Sequence, residues 1–497
     1  MDRKVKETEN ILNKLKRVMD VAIKKGRYEK AMAAISVGSQ FLYEYNQRYA
    51  DEDFEEGVTR IAHGLRSGYE EQLQSFHADN NTVLFYDGFG LDTRGVSKIY
   101  LNALKKNGYR IIYVTGKAAQ GHILETEKIL KEAEAQCFFI ECKTSYVRWV
   151  DELLQVILST SPKAMLFYTT PYDSAGAVSF AVMEGIVDRF LIDLTDHAYW
   201  LGVNSNDYFC GSREMSASNQ VFERNIDRSK LIKLGVNFVP DIVDDHTGLP
   251  FDVLNNRYIF SGGALYKTLG DPEHYYYKIV DHILENNRDI RFLYAGSGDT
   301  TEMDKIISKY PDRAYLIPER KDYYYLIQNC TLYLNTYPMF GGMMMKYSAN
   351  AGKLPITLKH DNDSDGLLVN QEKTRIEYED YNTLVKDVDA LLQDEEYLRE
   401  RESMLEGSVI TEERFVKNLR STIEEHCTDY EHGNARINVS KFKKEFYERF
   451  SLDNTKTIVA RRINKSIAVY FPWMMSKLIR NIAKSRRRNN IRSLIKK

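Results

Sequence analysis

Proline is scarce in this chain, 10 in 497 residues, and cysteine scarcer still, at five. Cys137, Cys142, Cys210, Cys330 and Cys427 are odd in number, scattered, and never spaced as Cys-x-x-Cys. That spacing argues against a disulfide framework and a zinc site, and a reducing cytoplasm is the expected compartment. Long apolar runs are missing as well, since nothing approaches the ~18–20 residues that a spanning helix needs. The longest, Ile467–Met475, is interrupted by Pro472. The opening Met-Asp-Arg-Lys-Val-Lys has no apolar stretch behind it, so no secretory segment is expected. With 43% hydrophobic and 28% charged residues the composition excludes collagen and disorder, and the length suggests about three domains.

An excess of one charge is absent too, with 69 Lys and Arg against 71 Asp and Glu. That balance conceals a division. The last 44 residues, from Asn454, hold 13 of the cations and no acid, which leaves 56 cations against 71 acids, a net charge of −15, on residues 1–453.

What is present is periodicity. Residues 1–77 contain no proline and step through Ile11, Leu12, Leu15, Val18 and Met19, the spacing of a helix face, so an all-helical leader is expected there. Gly26-Arg27-Tyr28-Glu29-Lys30-Ala31 is similar to the turn of a tetratricopeptide repeat, but only one such unit is found and plain helical packing accounts for it. From Thr82 short apolar runs alternate with amphipathic helices: Val83–Tyr86, Arg110–Val114, Cys137–Ile140, Ala164–Tyr168 and Phe190–Asp193. The pattern restarts at Arg257–Phe260 and continues through Arg291–Tyr294, Ala314–Ile317, Thr331–Asn335 and Pro355–Leu358. Strand and helix in alternation predict parallel sheets with crossover helices. The expected architecture is therefore α/β, with two Rossmann-like domains, 78–240 and 241–430, facing across a cleft, between a helical leader and a helical basic tail, 431–497. Sheets of this kind bind ligands beyond the carboxyl ends of their strands.

Four loops fall at such ends. Asp87-Gly88-Phe89-Gly90 closes the first strand, and its glycines allow either a close backbone approach to a ligand or simply a tight turn. Thr195-Asp196-His197 follows the last strand of the first series; a histidine titrating near neutrality could serve as general base there, or could be structural. Gly263 and Lys267 follow the first strand of the second series, where a lysine can neutralise phosphate, though a lone lysine is often a solvated one. Asn335-Thr336 leads through Gly341, Gly342 and Met343 into a helix whose first amides can face an anion, while the Met343–Met345 side chains suit core packing. No metal-ligand spacing is visible, and no cofactor beyond a co-substrate is expected.

These motifs, in this order and spacing over about residues 83–360, resemble the two-Rossmann GT-B glycosyltransferases, in particular the O-GlcNAc transferase and bacterial cytoplasmic N-glucosyltransferase group. The likeness is carried by Leu265-Tyr266-Lys267 with Asp271-Pro272, by Leu334–Gly342 through Ala351-Gly352 to Ile356-Thr357-Leu358, by Tyr199-Trp200-Leu201-Gly202 with Asp207-Tyr208, and by Asp87–Gly95. It implies a nucleotide-sugar donor, expected to be a UDP-sugar, with its diphosphate on Lys267, Gly342 and Met343, and with Gly263, Asn335, Thr336 and Gly341 also at the donor. It also implies a nucleobase pocket around Tyr323, Glu319 and Arg320, and His197 as base for an acceptor hydroxyl. Metal-independent, inverting transfer to a lipid-linked saccharide or surface-polymer precursor is the expected reaction. The alternatives are a protein glycosyltransferase and a non-catalytic subunit of a heteromeric complex. Methionines stand where the family has a Thr pair beside the diphosphate, Tyr347 stands at its helix acid, and its glycine-loop histidine is missing.

In the tail, Ile467, Val469, Phe471, Trp473, Met474, Leu478, Ile479 and Ile482 oppose Lys465, Lys477, Arg480, Lys484 and Arg486–Arg488. Apolar and cationic faces of this kind suit an interfacial helix on an anionic membrane surface. A nucleic-acid arm or a core-packed helix are the other readings of residues 456–497, and a nucleic-acid partner is not expected. The enzyme is thus expected on the inner face of the cell membrane, as a peripheral protein.

Overall fold

A computed structural model describes residues 3–443, apart from 46–47, 93–94, 143, 238–239, 241, 360–367, 370, 435 and 441–442. The interfacial segment expected at 456–497 lies outside the described residues. The chain forms two compact units: residues to 212, 216–234 and from 416 onward make the first, and 235–415 with 213–215 the second.

The first unit opens with helices α1 (Arg3–Lys24), α2 (Tyr28–Tyr45), α3 (Glu52–Arg66) and α4 (Glu70–Gln74). Gly26 turns α1 into α2 at φ +61°, where the sequence places a turn. There follow β1 (Asp79–Asp87), α5 (Val96–Lys106), β2 (Arg110–Gly116), α6 (Leu124–Glu132), β3 (Gln136–Ile140), α7 (Tyr146–Thr160), β4 (Pro162–Tyr168), α8 (Ser174–Val182), β5 (Asp188–Ile192), β6 (Tyr208–Gly211), α9 (Glu214–Phe222) and β7 (Leu231–Lys233). All seven strands are parallel, in the order β3-β2-β1-β4-β5-β6-β7. The order reverses between β1 and β4, the switch point at which such sheets open a crevice. Helix α8, Ser-Ala-Gly-Ala-Val-Ser-Phe-Ala-Val, is buried on every side because it packs against α7 on the sheet and against α2 and α3 of the leader. Leader and sheet consequently share one core, from Leu12, Phe41 and Val58 to Leu84, Phe167 and Trp200.

The second unit contains β8 (Tyr258–Gly262), α10 (Tyr275–Asn286), β9 (Arg291–Ala295), α11 (Thr301–Lys309), β10 (Ala314–Ile317), α12 (Tyr323–Asn329), β11 (Leu332–Leu334), α13 (Gly342–Asn350), β12 (Pro355–Leu358), α14 (Gln371–Thr374), β13 (Glu377–Tyr378), α15 (Tyr381–Gln393) and α16 (Glu395–Ser403), and α17 (Glu412–Glu425) follows. Its parallel sheet runs β10-β9-β8-β11-β12-β13, with the reversal between β8 and β11. The architecture is α/β with two Rossmann-like sheets. Three strands escaped the sequence pattern, β6, β7 and β13, each two to four residues long and too short to show a period.

The end of α17 also differs from the expected boundary at residue 430. From Val416 the chain belongs to the first unit: Asn107 donates to the Val416 carbonyl at 2.8 Å, Tyr109 to Glu424 at 2.6 Å, and His426 lies 3.0 Å from Asp188. Helical periodicity reveals a face to be covered but not which neighbour covers it.

One buried ion network holds the second unit's last helices. Arg401, fully buried, donates to Asp387 at 2.5 Å and to the Arg375 carbonyl, and Tyr378 and Tyr397 also donate to Asp387. Burial raises the Asp387 carboxyl, but the bonds from Tyr378, Arg401 and Tyr397 outweigh it and hold the group below its ordinary value. Arg401→Met leaves that carboxylate without its cation, so we expect a loss of about 3 kcal/mol in urea unfolding at neutral pH. A depressed carboxyl contributes stability above its unfolded pKa of about 3.9 and loses it as pH falls through the folded value. The deficit should therefore shrink in acid; a deficit equal at both pH values would show that the pair is not its source.

Candidate functional site

In the second unit the loops after β8 and β11 meet at the switch point. Gly263, at φ +130°, turns the chain out of β8, and Leu265–Thr268 form one 3-10 turn that carries Lys267. The Lys267 ammonium lies 3.4 Å from the Phe340 carbonyl, and the Lys267 carbonyl accepts from the Met339 amide at 3.1 Å. The loops after β8 and β11 are thus tied together. A third loop, after β9, supports them: a Cβ on Gly296 would sit 1.9 Å from the Gly263 carbonyl oxygen, so only glycine fits that approach.

Asn335 and Thr336, expected beside the donor, are buried, and their side chains shape the loop. Asn335 accepts from the Gly341 amide at 3.1 Å and donates to Met345 Sδ at 2.9 Å, while Thr336 donates to the Met339 carbonyl at 2.7 Å. Gly341 precedes α13 and offers no side chain to cap it. An uncapped first turn of this kind can face an anion, with a macrodipole contribution of about 0.3–1 kcal/mol. Met345 is buried and Met344 packs on the same core, whereas Met343 is 49% exposed.

Glu319 and Arg320 fall on the segment between β10 and α12, and Tyr323 opens α12. Glu319 is exposed and accepts from Ser297 at 2.9 Å. Arg320 makes a two-pronged pair with Asp322, at 2.6 and 2.7 Å, and donates to the Thr247 carbonyl at 2.9 Å, so its guanidinium is engaged locally. His246 stacks on Tyr325 with ring centres 3.6 Å apart and reaches Asp322 at 3.3 Å. Tyr323 is half-buried, its ring 5.2 Å from that of Tyr347 and tilted to it. Of the two aromatic positions, sequence reasoning singled out Tyr323 and missed Tyr325; the run Tyr323–Tyr325 was visible, but the partner His246 lies on a distant loop.

In the first unit Asp87 ends β1 and is buried. Its carboxylate accepts from the amides of Phe89 and Gly90, at 3.0 and 2.9 Å, and from Tyr113 at 2.7 Å, so it folds the glycine loop. Burial pushes the Asp87 carboxyl up, against those three bonds. A Cβ on Gly88 would meet Thr169 Oγ1 at 1.8 Å, the close approach of the β1 and β4 ends. Thr169 in turn donates to Asp173, which also accepts from Tyr86 and caps α8 through the Gly176 amide.

His197 lies on the loop between β5 and β6, 35% exposed, its Nδ1 3.4 Å from Asp196 Oδ1. Beside it Asp193 is buried, raised by that burial and by the like charge of Asp196, and accepts from Ser216 at 2.6 Å and Gln220 at 2.8 Å. A small indentation of about 20 Å³, lined by Thr169, Asp193, Thr195 and Trp200 among others, opens at the ends of β4 and β5. Sequence reasoning missed Asp173, Asp193 and Arg224. Asp173 was legible as a helix cap after Pro171, and Asp193 as the residue at a strand end; a lone arginine at 224 carries no signal. Among the described residues no group of three or more His, Cys, Asp or Glu is gathered as a metal would require.

No family model and no curated protein matches the sequence. The fold does have solved counterparts. A glycosyltransferase from Rickettsia africae superposes with a TM-score of 0.50 at 11% identity, covering 70% of this chain and 99% of its own. A UDP-N-acetylglucosamine 2-epimerase described as putative, from Listeria monocytogenes, gives 0.49 at 13% identity over 72% of this chain and 100% of its own. The O-GlcNAc transferase of Thermobaculum terrenum gives 0.46 at 11%, over 87% of this chain and 84% of its own. The class defined is one of fold, the two-Rossmann GT-B architecture.

Proposed function

We propose that this chain is a glycosyltransferase that moves a sugar from a UDP donor to a hydroxyl of a saccharide or lipid-linked acceptor. The observation that carries the reading is Lys267, tied by its ammonium and its carbonyl to the loop that opens α13. Transfer from a nucleotide sugar must stabilise a departing diphosphate, and a lysine beside uncapped helix amides supplies positive charge without a metal. Gly263 and Gly342 let the backbone approach that anion, and Tyr323 or Tyr325 offers a ring to the base. His197 is the base for the acceptor hydroxyl, and an inverting displacement follows from attack opposite the leaving diphosphate.

Calorimetry with UDP, GDP and ADP, followed by UDP release across a panel of nucleotide sugars, tests this directly. Binding of UDP with release from one sugar donor is the expected result. UDP binding with no release from any donor would replace the enzyme by a non-catalytic subunit, the reading that Met343 in the anion loop favours.

We assign residues 456–497 to an anionic membrane surface on their sequence pattern, which makes the enzyme peripheral on the inner face of the cell membrane. Liposomes containing phosphatidylserine should float the full chain and leave a chain ending at residue 455 behind. Equal flotation of both forms removes the anchor.

A further inference from the structure

The loop that carries His197 is gripped from outside by two buried charges. Arg224, just beyond α9 and 4% exposed, donates to the Ala198 carbonyl at 2.7 Å and to the Tyr49 carbonyl. Its guanidinium also lies 4.2 Å from the Trp200 ring centre and 5.1 Å from that of Tyr49. Glu55, on α3 of the leader and equally buried, accepts from the amides of Gly202 at 2.9 Å and Asn204 at 3.0 Å. Between these points Asn219 donates to the Asp196 carbonyl at 2.8 Å, and the Tyr199 hydroxyl shares a 3.2 Å hydrogen bond with Ser39 of α2.

Burying one ion costs several kcal/mol even after relaxation, and apolar side chains of similar volume usually pack as well. Two ions retained here, each directed at main-chain groups of one loop, are better explained by what they hold than by stability. Loops between strands are ordinarily the mobile part of such sheets. This one has the carbonyls of Asp196 and Ala198 and the amides of Gly202 and Asn204 held by buried side chains.

We propose that Arg224 and Glu55 are positioning residues that clamp residues 195–204, so that His197 is presented in a single orientation and the helical leader is part of the catalytic scaffold. The clamp rests on the reading of His197 as base, and it gives the leader a different task from docking an acceptor. The electrostatics agree with the geometry: burial raises the Glu55 carboxyl, and the amides of Asn204, Gly202 and Val203 together with Arg224 oppose it. Burial likewise lowers Arg224, against the charges of Asp193 and Asp196 among others.

The test uses the full chain with Arg224→Met, Arg224→Lys and Glu55→Gln. Two measurements are made on each: amide hydrogen exchange of peptides covering 195–204, with β4 and β5 as internal reference, and UDP release from the donor accepted by the wild type. In Arg224→Met the loop should exchange about tenfold faster while the strands stay unchanged. Its kcat should fall by about 10²-fold with the donor KM within about twofold, since a displacement near 1 Å suffices for such a loss. Arg224→Lys should recover part of kcat. Unchanged loop exchange, or unchanged kcat with faster exchange, overturns the clamp. If Arg224→Met does not fold, Glu55→Gln is judged by the same two measures. A wild type silent toward every nucleotide sugar defeats the proposed function instead, and the exchange result then still decides whether the loop is held.

Discussion

Replacing Lys267 by alanine is expected to lower turnover of a UDP-sugar by about 10²–10³-fold, the scale on which a preorganised charge at a leaving group acts. The argument is local. The side chain makes a 3.4 Å contact with the Phe340 carbonyl, whereas the turn itself is held by main-chain bonds, Lys267 N to the Ala264 carbonyl at 3.0 Å and Met339 N to the Lys267 carbonyl at 3.1 Å. Alanine keeps both of those bonds. The melting temperature should therefore move little while kcat collapses and UDP affinity weakens, as measured by UDP release, calorimetry and scanning calorimetry. Wild-type-like turnover in this variant sinks the donor-site assignment.

The second large effect is expected at His197. A general base removed from its position usually costs about 10²–10⁴-fold in rate. His197→Ala should abolish transfer while UDP binding, which the proposed site assigns to the other unit's loops, stays within about twofold. Asp196 lies 3.4 Å from the imidazole and is suited to hold the ring, so Asp196→Asn should fall between the wild type and His197→Ala. Undiminished transfer in His197→Ala removes it as base and moves attention to Asp193 at the neighbouring strand end.

Short apolar runs bounded by turn signals were legible as strands. Ala314–Ile317 and Pro355–Leu358 were read with their observed limits. The glycine at 88 marks a close approach, which the structure fills with Thr169, whereas a Cβ at 263 would meet nothing within 4 Å and that glycine serves a φ of +130°. Less legible was the division of labour inside the loops. Asn335 and Thr336 read as donor-binding, yet their side chains build the turn, and of the two readings left open for the Asp87 loop its carboxylate serves the tight turn, since a short polar side chain bonds to nearby main chain as readily as to a ligand. Arg320 read as pocket-lining and is paired with Asp322. Glu55 and Arg224 left no trace in sequence, because their partners lie about 150 and 26 residues away and only the fold brings them together.

The return of the chain at Val416 changes how the molecule is wired. Because the first unit contains residues on both sides of 235–415, the segment with Lys267 is joined to it at two places, near 234 and near 416. In terms of gene architecture it is a cassette inserted into a host rather than a bead on a string. One proteolytic cut in either crossing leaves the cassette still covalently attached to one part of the host, and two cuts are needed to release it whole. A recombinant exchange of donor specificity between related chains would accordingly be cut at those two crossings, with α17 from Val416 onward left behind in the host.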